Sequence, residues 1–231
     1  MIRVIAFDLD GTLWDVGPVI RRAESILADW LEKEVPGYHY QPSKLVPIRE
    51  TLLSEDPSLA HRLTAFRQQL IKTSLISHLD EQSAASYAGS AMEVFLAARN
   101  EVEFFEGALT TLSDIARSFQ LGTMTNGNAD IYRLGLDDYF SFAFSAEQVG
   151  APKPAPDLFY AALAHTGCEP AQMIYVGDDP IKDVDAANEV GLHTIWMNSK
   201  ANKLIEGESS PDETIDDIRA LPDAIRKLVD R

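Results

Sequence analysis

The sequence predicts an α/β protein whose core is a parallel sheet, with an all-helical unit inserted after the first strand. Short apolar, β-branched runs alternate with helical segments in the second half of the chain, which is typical of parallel βαβ units. A further apolar run opens the chain, and residues 14–100 behind it carry only helical periodicity. We therefore expect residues 1–13 and 104–231 to build one core, and residues 14–103 to form a helical cap domain.

The first predicted strand, residues 2–7, ends in two carboxylates one residue apart. Asp8 and Asp10 follow the apolar run, and Gly11 permits a sharp exit from it. In an open α/β sheet, ligands bind just beyond the carboxyl ends of the strands. Two carboxylates held together repel each other unless a cation or a shared proton separates them, and Mg²⁺ prefers carboxylate, phosphate and water oxygens. Taken alone, the segment fits a solvated Asp–Gly turn equally well.

Apolar residues recur at helical spacing through the inserted unit, which predicts a small helical bundle. Pro36 and Gly37 end its first helix. The next stretch mixes proline, serine and aromatic residues and is expected to hold a loop and a short helix. The predicted segments are helices within 16–31, 59–70 and 87–98, with the mixed stretch at 38–57.

The second half alternates helices and strands and ends in an amphipathic helix. The polar residues 198–213 are expected to form a loop before that last helix. The predicted strands are 121–125, 142–145, 173–176 and 193–197, and the predicted helices are 108–118, 156–166 and 181–190.

Polar side chains that suit a phosphate group follow the predicted core strands. Thr125 and Asn126 come at the end of one strand and can donate hydrogen bonds to phosphate oxygens, although Asn126 also suits a helix N-cap. Lys153 lies on a loop stiffened by prolines on both sides. It can supply positive charge to a phosphate or to a crowded carboxylate, or it is an ordinary surface lysine.

A second acidic cluster follows the strand at 173–176. It contains Asp178, Asp179 and Asp183, and Asp183 could simply favour the positive end of the helix dipole. If Asp178 and Asp183 face the same cleft as Asp8, their convergence without a metal is costly. A divalent cation is therefore implied if they converge.

Composition excludes several classes of partner. The formal charge is −16 and no cluster of lysine and arginine is visible, which argues against binding to nucleic acid or to an anionic membrane surface. The single cysteine, Cys168, rules out an intrachain disulfide. We see no secretory signal and no membrane-length apolar run. We expect a cytoplasmic monomer or weak homodimer whose partner is a small molecule.

Four motifs, in this order, resemble those of the haloacid dehalogenase-like (HAD) hydrolase superfamily. The resemblance covers essentially the whole chain and implies a Rossmann-like core with a C1-type helical cap, as in its subfamily I. Several stretches also resemble the YigB-type phosphatases, a branch whose members act on flavin mononucleotide and on a phosphorylated ribityl-aminouracil. The motifs are Asp8-Leu9-Asp10-Gly11-Thr12, Thr125-Asn126-Gly127, Lys153-Pro154, and Gly177-Asp178-Asp179 with Asp183.

The resemblance implies a Mg²⁺-dependent phosphatase that hydrolyses a small phosphomonoester, such as a sugar phosphate, a nucleotide or a flavin mononucleotide-like compound. Asp8 is the implied nucleophile, which forms an aspartyl-phosphate. Asp10 is the implied general acid and then general base. Asp8, the main-chain carbonyl of Asp10 and Asp178 are the implied Mg²⁺ ligands.

The remaining implied roles are binding and support. Thr125, Asn126 and Lys153 hold the phosphoryl oxygens, where positioning and electrostatics supply most of the catalysis. Asp179 and Asp183 support the metal ligands, and which of the two contacts a metal-bound water is open. Trp14 adjoins the first motif and is the best candidate to stack on a substrate ring.

Three other functions fit parts of this pattern. A 2-haloacid dehalogenase also uses an aspartate nucleophile, but displacing a halide from carbon needs neither a leaving-group acid such as Asp10 nor a cation. A phosphomutase fits the first motif and needs cap residues that the sequence does not identify. A receiver-like phospho-acceptor module pairs acids with a threonine and a lysine, but it lacks a long helical insert after its first strand.

Overall fold

The computed structural model describes residues 1–199 and 209–230. The chain forms two compact units, one made of Met1–Asp15 with Glu103–Arg231 and the other of Val16–Val102. The first unit contains the sheet and the second is helical. Among the described residues, no helix is both long enough and apolar enough to cross a bilayer.

In the described part of the chain, the sheet has six parallel strands in the order β3-β2-β1-β4-β5-β6, which confirms the predicted α/β class. β1 lies between β2 and β4, and its last residue, Phe7, pairs with Thr123 and Val176. The carboxyl ends of these three strands therefore meet at one edge of the sheet. The strands are β1 Val4–Phe7, β2 Gln120–Thr125, β3 Phe142–Ser145, β4 Met173–Gly177, β5 His193–Met197 and β6 Glu213–Ile215.

The inserted unit is a helical bundle, as its periodicity predicts. Its long last helix packs against the first and against the third, and the three bury a continuous apolar cluster that includes Leu27, Leu31, Ile71 and Phe95. Asp80 caps the N-terminus of the last helix of this unit, because its carboxylate accepts a hydrogen bond from the main-chain N–H of Ser83. The helices are α1 Val16–Glu34, α2 Val46–Glu55, α3 Leu63–Leu75 and α4 Glu81–Arg99.

Over residues 103–199 and 209–230, the core unit adds five helices to its sheet. Every residue of β1 and β4 is buried, as expected for parallel strands covered on both faces. Before the fourth of these helices, residues Pro180–Asp185 form one wide, π-helical segment. The helices are α5 Ala108–Ile115, α6 Ala146–Val149, α7 Asp157–Thr166, α8 Ala186–Val190 and α9 Leu221–Val229.

One predicted loop is partly wrong. Residues 213–215 form β6, which pairs with β5 through Ile195 and Glu213, whereas the sequence predicts a loop over 198–213. Only Ile215 of this edge strand is buried, so its three residues carry almost no apolar signal. Residues 200–208 of the predicted loop lie outside the described part of the chain.

Candidate active site

The turn after β1 brings the first and last acidic motifs together. Asp8 donates its main-chain N–H to the carbonyl of Val176 at 2.9 Å, which fixes it beside the end of β4. Gly11 adopts a φ of +86°, and a Cβ at this position would lie 2.3 Å from Asp178 Oδ2. Only glycine allows both the left-handed turn and this approach. The sharp exit predicted from the sequence therefore places Asp178 against the first motif.

A buried lysine lies at the centre of the site. Lys153 is 3% exposed, and its ammonium donates to Asp8 Oδ1 at 2.9 Å, to Asp183 Oδ1 at 2.6 Å and to the Tyr175 hydroxyl at 2.5 Å. An ammonium has three N–H donors, and here three protein oxygens lie within their reach. Lys153 therefore brings a positive charge into the site and holds Asp8 in place through a hydrogen bond.

Burial and neighbouring charges have opposing effects on the pKa values of Asp8 and Lys153. Burial raises the pKa of Asp8 to about 8, with Asp183 adding to the effect and Lys153 opposing it. Burial alone would lower the pKa of Lys153, but its attraction to Asp183 and Asp8 outweighs that and raises the pKa well above its ordinary value. The lysine is therefore charged, whereas the Asp8 carboxyl group needs further positive charge nearby to be fully ionised.

Three carboxylates of the site form a set that suits a divalent cation. One oxygen each from Asp8, Asp178 and Asp183 lies within 4.8 Å of the others. Hard divalent ions such as Mg²⁺ take oxygen ligands of this kind. The convergence of acids expected from the sequence is thus present, and Asp178 points towards Asp8 and not away from it.

Asp183 and Asp179 have different surroundings. Asp183 is 2% exposed, and its second oxygen accepts the main-chain N–H of Asp179 at 2.9 Å. The Asp179 carboxylate instead caps the following helical segment, because it accepts the N–H groups of Ile181 and Lys182 and the ammonium of Lys182. Burial, which raises the pKa of Asp179, is outweighed by these hydrogen bonds from Lys182, and the pKa is lowered. Asp183, and not Asp179, belongs to the acidic cluster.

Thr125 and Asn126 lie at the end of β2, but their side chains already have protein partners. Asn126 pairs with the main chain of Lys153 in both directions, since its amide accepts the Lys153 N–H and donates to the Lys153 carbonyl, each at 2.8 Å. The Thr125 hydroxyl accepts the N–H of Gly127 at 3.0 Å. Asn126 therefore holds the lysine loop in place, and its amide nitrogen carries a second hydrogen that remains for a ligand oxygen.

The expectation that Trp14 stacks on a substrate ring is wrong for this structure. Trp14 has no exposed surface, so its ring offers no face to a ligand. Its indole N–H donates to Asp10 Oδ1 at 2.9 Å, and its ring packs edge-on against Phe104, with the ring centroids 5.7 Å apart. The sequence places Trp14 beside the motif correctly, but the residue contacts Asp10 instead of a ligand.

Sequence reasoning missed two aromatic residues that hold the site. The Tyr175 hydroxyl accepts from Lys153 and donates to the main-chain carbonyl of Met124 at 2.8 Å, which links β4 to the end of β2. The indole N–H of Trp196 donates to the carbonyl of Asp178 at 2.9 Å. A polar aromatic residue in a buried strand needs a hydrogen-bond partner. The position of Tyr175 within an apolar run therefore indicates that its hydroxyl bonds to another buried group.

Replacing Tyr175 with Phe is expected to destabilise the fold by about 1–3 kcal/mol, because it removes the acceptor of a buried ammonium hydrogen and the hydrogen bond to the Met124 carbonyl. Urea unfolding followed by circular dichroism measures the change. Tyr160→Phe is the matched control, since Tyr160 is exposed, and its free energy of unfolding should change by less than about 0.5 kcal/mol. Equal stabilities of the two variants would show that the Tyr175 hydroxyl contributes nothing to the network.

Comparison with known proteins identifies the family. The model of the haloacid dehalogenase-like hydrolases matches residues 2–191, which include all four motifs. The chain belongs to this family of hydrolases. The resemblance drawn from the motifs is thereby confirmed, together with the prediction that the chain is an enzyme.

Two curated HAD-like relatives are phosphatases and cover most of the chain. The 5-amino-6-(5-phospho-D-ribitylamino)uracil phosphatase YigB of Escherichia coli is 29% identical over 207 residues, which are 89% of this chain and 87% of the relative. The ribulose-1,5-bisphosphate 5-phosphatase of Halopiger xanaduensis is 27% identical, and the match covers 97% of this chain and 100% of the relative. Both support a phosphoester-hydrolysing member of the family.

One similar solved structure is that of an enzyme with a different activity, a dehalogenase. A 2-haloacid dehalogenase from Pseudomonas syringae pv. tomato DC3000 is 39% identical to this chain and superposes with a TM-score of 0.94. The match covers 98% of this chain and 99% of the other. The two chains therefore share one fold, and the choice between the two reactions depends on the site.

Proposed function

We propose that the protein is a Mg²⁺-dependent phosphatase that hydrolyses a small phosphomonoester through an aspartyl-phosphate at Asp8. The observation that carries the proposal is the convergence of Asp8, Asp178 and Asp183 around one point, with Lys153 bonded to two of them. Asp10 follows Asp8 by two residues and supplies a second carboxyl group for proton transfer.

The donor set fits the proposed ion. Asp8 and Asp178 would hold Mg²⁺, with the main-chain carbonyl of Asp10 as a third ligand, because their oxygens are the hard donors that Mg²⁺ requires. Asp183 would support these ligands indirectly, by holding Lys153 and the main chain of Asp179. Both of its carboxylate oxygens already accept hydrogen bonds from these groups. When bound, the ion neutralises charge between the nucleophile and the phosphate.

In the first proposed step, a carboxylate oxygen of Asp8 forms a bond to phosphorus while the bond from phosphorus to the ester oxygen breaks. Asp10 gives its proton to the departing alkoxide, which leaves as an alcohol. Lys153 keeps Asp8 in place through its hydrogen bond to Oδ1, and its positive charge favours the anionic phosphoryl group.

In the second proposed step, Asp10 is a carboxylate and accepts a proton from a water molecule as the water oxygen bonds to phosphorus. The bond between phosphorus and Asp8 breaks, which restores the Asp8 carboxylate and releases inorganic phosphate. Thr125 and Asn126, at the end of β2, orient the phosphoryl oxygens, with the free amide hydrogen of Asn126 as one donor.

A second candidate function is 2-haloacid dehalogenation, which the 39% identical dehalogenase structure favours. Asp8 would then displace a halide from carbon and form an ester. The halide leaves as a stable anion, so the displacement step has no use for a proton on Asp10 or for a cation held by Asp8 and Asp178. Water would then hydrolyse the ester, which restores the Asp8 carboxylate and releases the 2-hydroxy acid. Because the chain keeps both Asp10 and the acidic cluster, the phosphatase is the better-supported function.

The substrate class rests on the relatives. The curated relatives act, by their names, on phosphate esters of small sugars and of a ribityl-aminouracil. We propose a substrate of this size, namely a sugar phosphate, a nucleotide or a flavin mononucleotide-like ester. The net charge of −16 means that the positive charge of Lys153 and the bound cation must capture such an anion locally.

Purified protein should release inorganic phosphate from at least one such ester with Mg²⁺, and EDTA should abolish the release. A phosphate-release screen over sugar phosphates, nucleotides and flavin mononucleotide measures this. Chloride release from 2-chloropropionate, with and without Mg²⁺, is the parallel assay. Metal-independent chloride release without phosphate release would replace the phosphatase with the dehalogenase.

A further inference from the structure

We propose that Trp14 is a positioning residue for the proton-transfer step, because it holds the Asp10 carboxyl group in one orientation. The inference rests on the proposed function of Asp10 and extends it to a residue outside the four motifs. Its basis is the hydrogen bond from the Trp14 indole N–H to Asp10 Oδ1, at 2.9 Å.

The indole is itself held on several sides. The main-chain carbonyl of Trp14 accepts the N–H of Gly11 at 2.9 Å, which closes the turn that follows Asp10. Trp14 also forms β-bridges with Asp10 and with Phe104, and its ring packs edge-on against the Phe104 ring. A donor fixed at both its main chain and its ring costs little further entropy when it orients a neighbouring carboxyl group.

The direction of this hydrogen bond has a chemical consequence. Because Oδ1 of Asp10 accepts the indole N–H, rotation of the Asp10 carboxyl group is restricted and its orientation is held. Trp14 is fully buried, so water does not compete for the N–H, and a hydrogen bond in such surroundings is stronger than one in water. Trp14 therefore holds the orientation in which the Asp10 carboxyl group meets the reacting atoms.

The test compares two leaving groups in Trp14→Phe, a variant that removes the N–H and keeps an aromatic ring. A poor alkoxide leaving group needs the proton from Asp10, whereas p-nitrophenolate leaves without one. Single-turnover cleavage of an alkyl phosphate should slow by about fivefold to tenfold, the value of a hydrogen bond to the neutral, protonated Asp10. Cleavage of p-nitrophenyl phosphate should change by less than about twofold.

Three further variants separate positioning from packing. Trp30→Phe, in the helical unit, should leave both rates unchanged. In an Asp10→Asn background, adding Trp14→Phe should not slow alkyl phosphate cleavage any further, since two residues that act as one are not additive. If Trp14→Phe does not fold, a benzothiophene analogue of tryptophan at position 14 removes the N–H and keeps the ring shape. Equal slowing of both substrates would overturn the inference.

A measurement without substrate tests the contact itself. The indole N–H resonance of Trp14 should move in Asp10→Asn, while that of Trp30 stays in place. An unmoved Trp14 resonance would overturn the inference even if the enzyme is active. Absence of phosphate release by the wild-type protein from every ester would instead refute the proposed function, so the two failures are distinguishable.

Discussion

Asp8→Asn should abolish turnover while the protein stays folded. The amide has no carboxylate oxygen to attack phosphorus, and loss of a nucleophile typically costs a factor of about 10⁴ or more in kcat. The amide oxygen can still accept the Lys153 hydrogen bond now made by Oδ1. Because burial raises the pKa of Asp8 to about 8, its charge is unfavourable in the metal-free fold. A neutral side chain there should therefore leave the melting temperature equal or higher.

Phosphate release and thermal unfolding, measured on the same preparations, check this result. Asp223→Asn is the control, since Asp223 forms an exposed ion pair with Arg226 on α9, and its activity should match the wild type. Retained phosphatase activity in Asp8→Asn would remove Asp8 from the role of nucleophile. Loss of the fold would show that the charge of Asp8 is structural.

Lys153→Met should both inactivate and strongly destabilise the protein. The ammonium pairs with Asp8 and Asp183, and all three side chains are almost fully buried. Removing one partner of a buried ion pair leaves an uncompensated charge and typically costs about 3–5 kcal/mol. Methionine fills a similar volume, so the loss is electrostatic and does not come from a cavity.

Urea unfolding measures this effect, and the chain offers a matched control. Lys182 pairs with Asp179 at 2.6 Å, but more than half of the lysine side chain is exposed. Lys182→Met should therefore cost less than about 1 kcal/mol. The double variant Lys153→Met with Asp183→Asn should recover part of the lost stability, because it removes the orphaned charge. Equal losses at the two lysines would mean that the buried network contributes no more than a surface pair.

Much of the fold could be predicted because its signals are local. The apolar runs of β1 and β4 are buried on both faces, so each shows as a continuous apolar segment in the sequence. The acids that end these two strands meet because parallel neighbours share one carboxyl edge. The edge strand β6 has a single buried residue, and its short polar segment carries no such pattern.

The contacts of individual side chains could not be predicted in the same way. The sequence left open whether Asp179 or Asp183 joins the acidic cluster, because both lie in one helical turn. The choice follows from a tertiary contact, since Lys153 reaches Asp183 across the sheet while Asp179 is used by its own helix. The sequence places Trp14 beside the motif, but its hydrogen bond to Asp10 depends on the conformation of the turn at Gly11.

The central position of β1 also constrains the order in which the polypeptide can acquire its structure during synthesis. Val4 pairs with Gln120 on one side and with Met173 on the other. The whole inserted bundle therefore leaves the ribosome before the amino-terminal strand can find either neighbour. Contacts between such distant positions form slowly, and unpaired strand edges are prone to aggregate. Until β2 and β4 have been synthesised, β1 therefore exposes two unpaired edges that can aggregate.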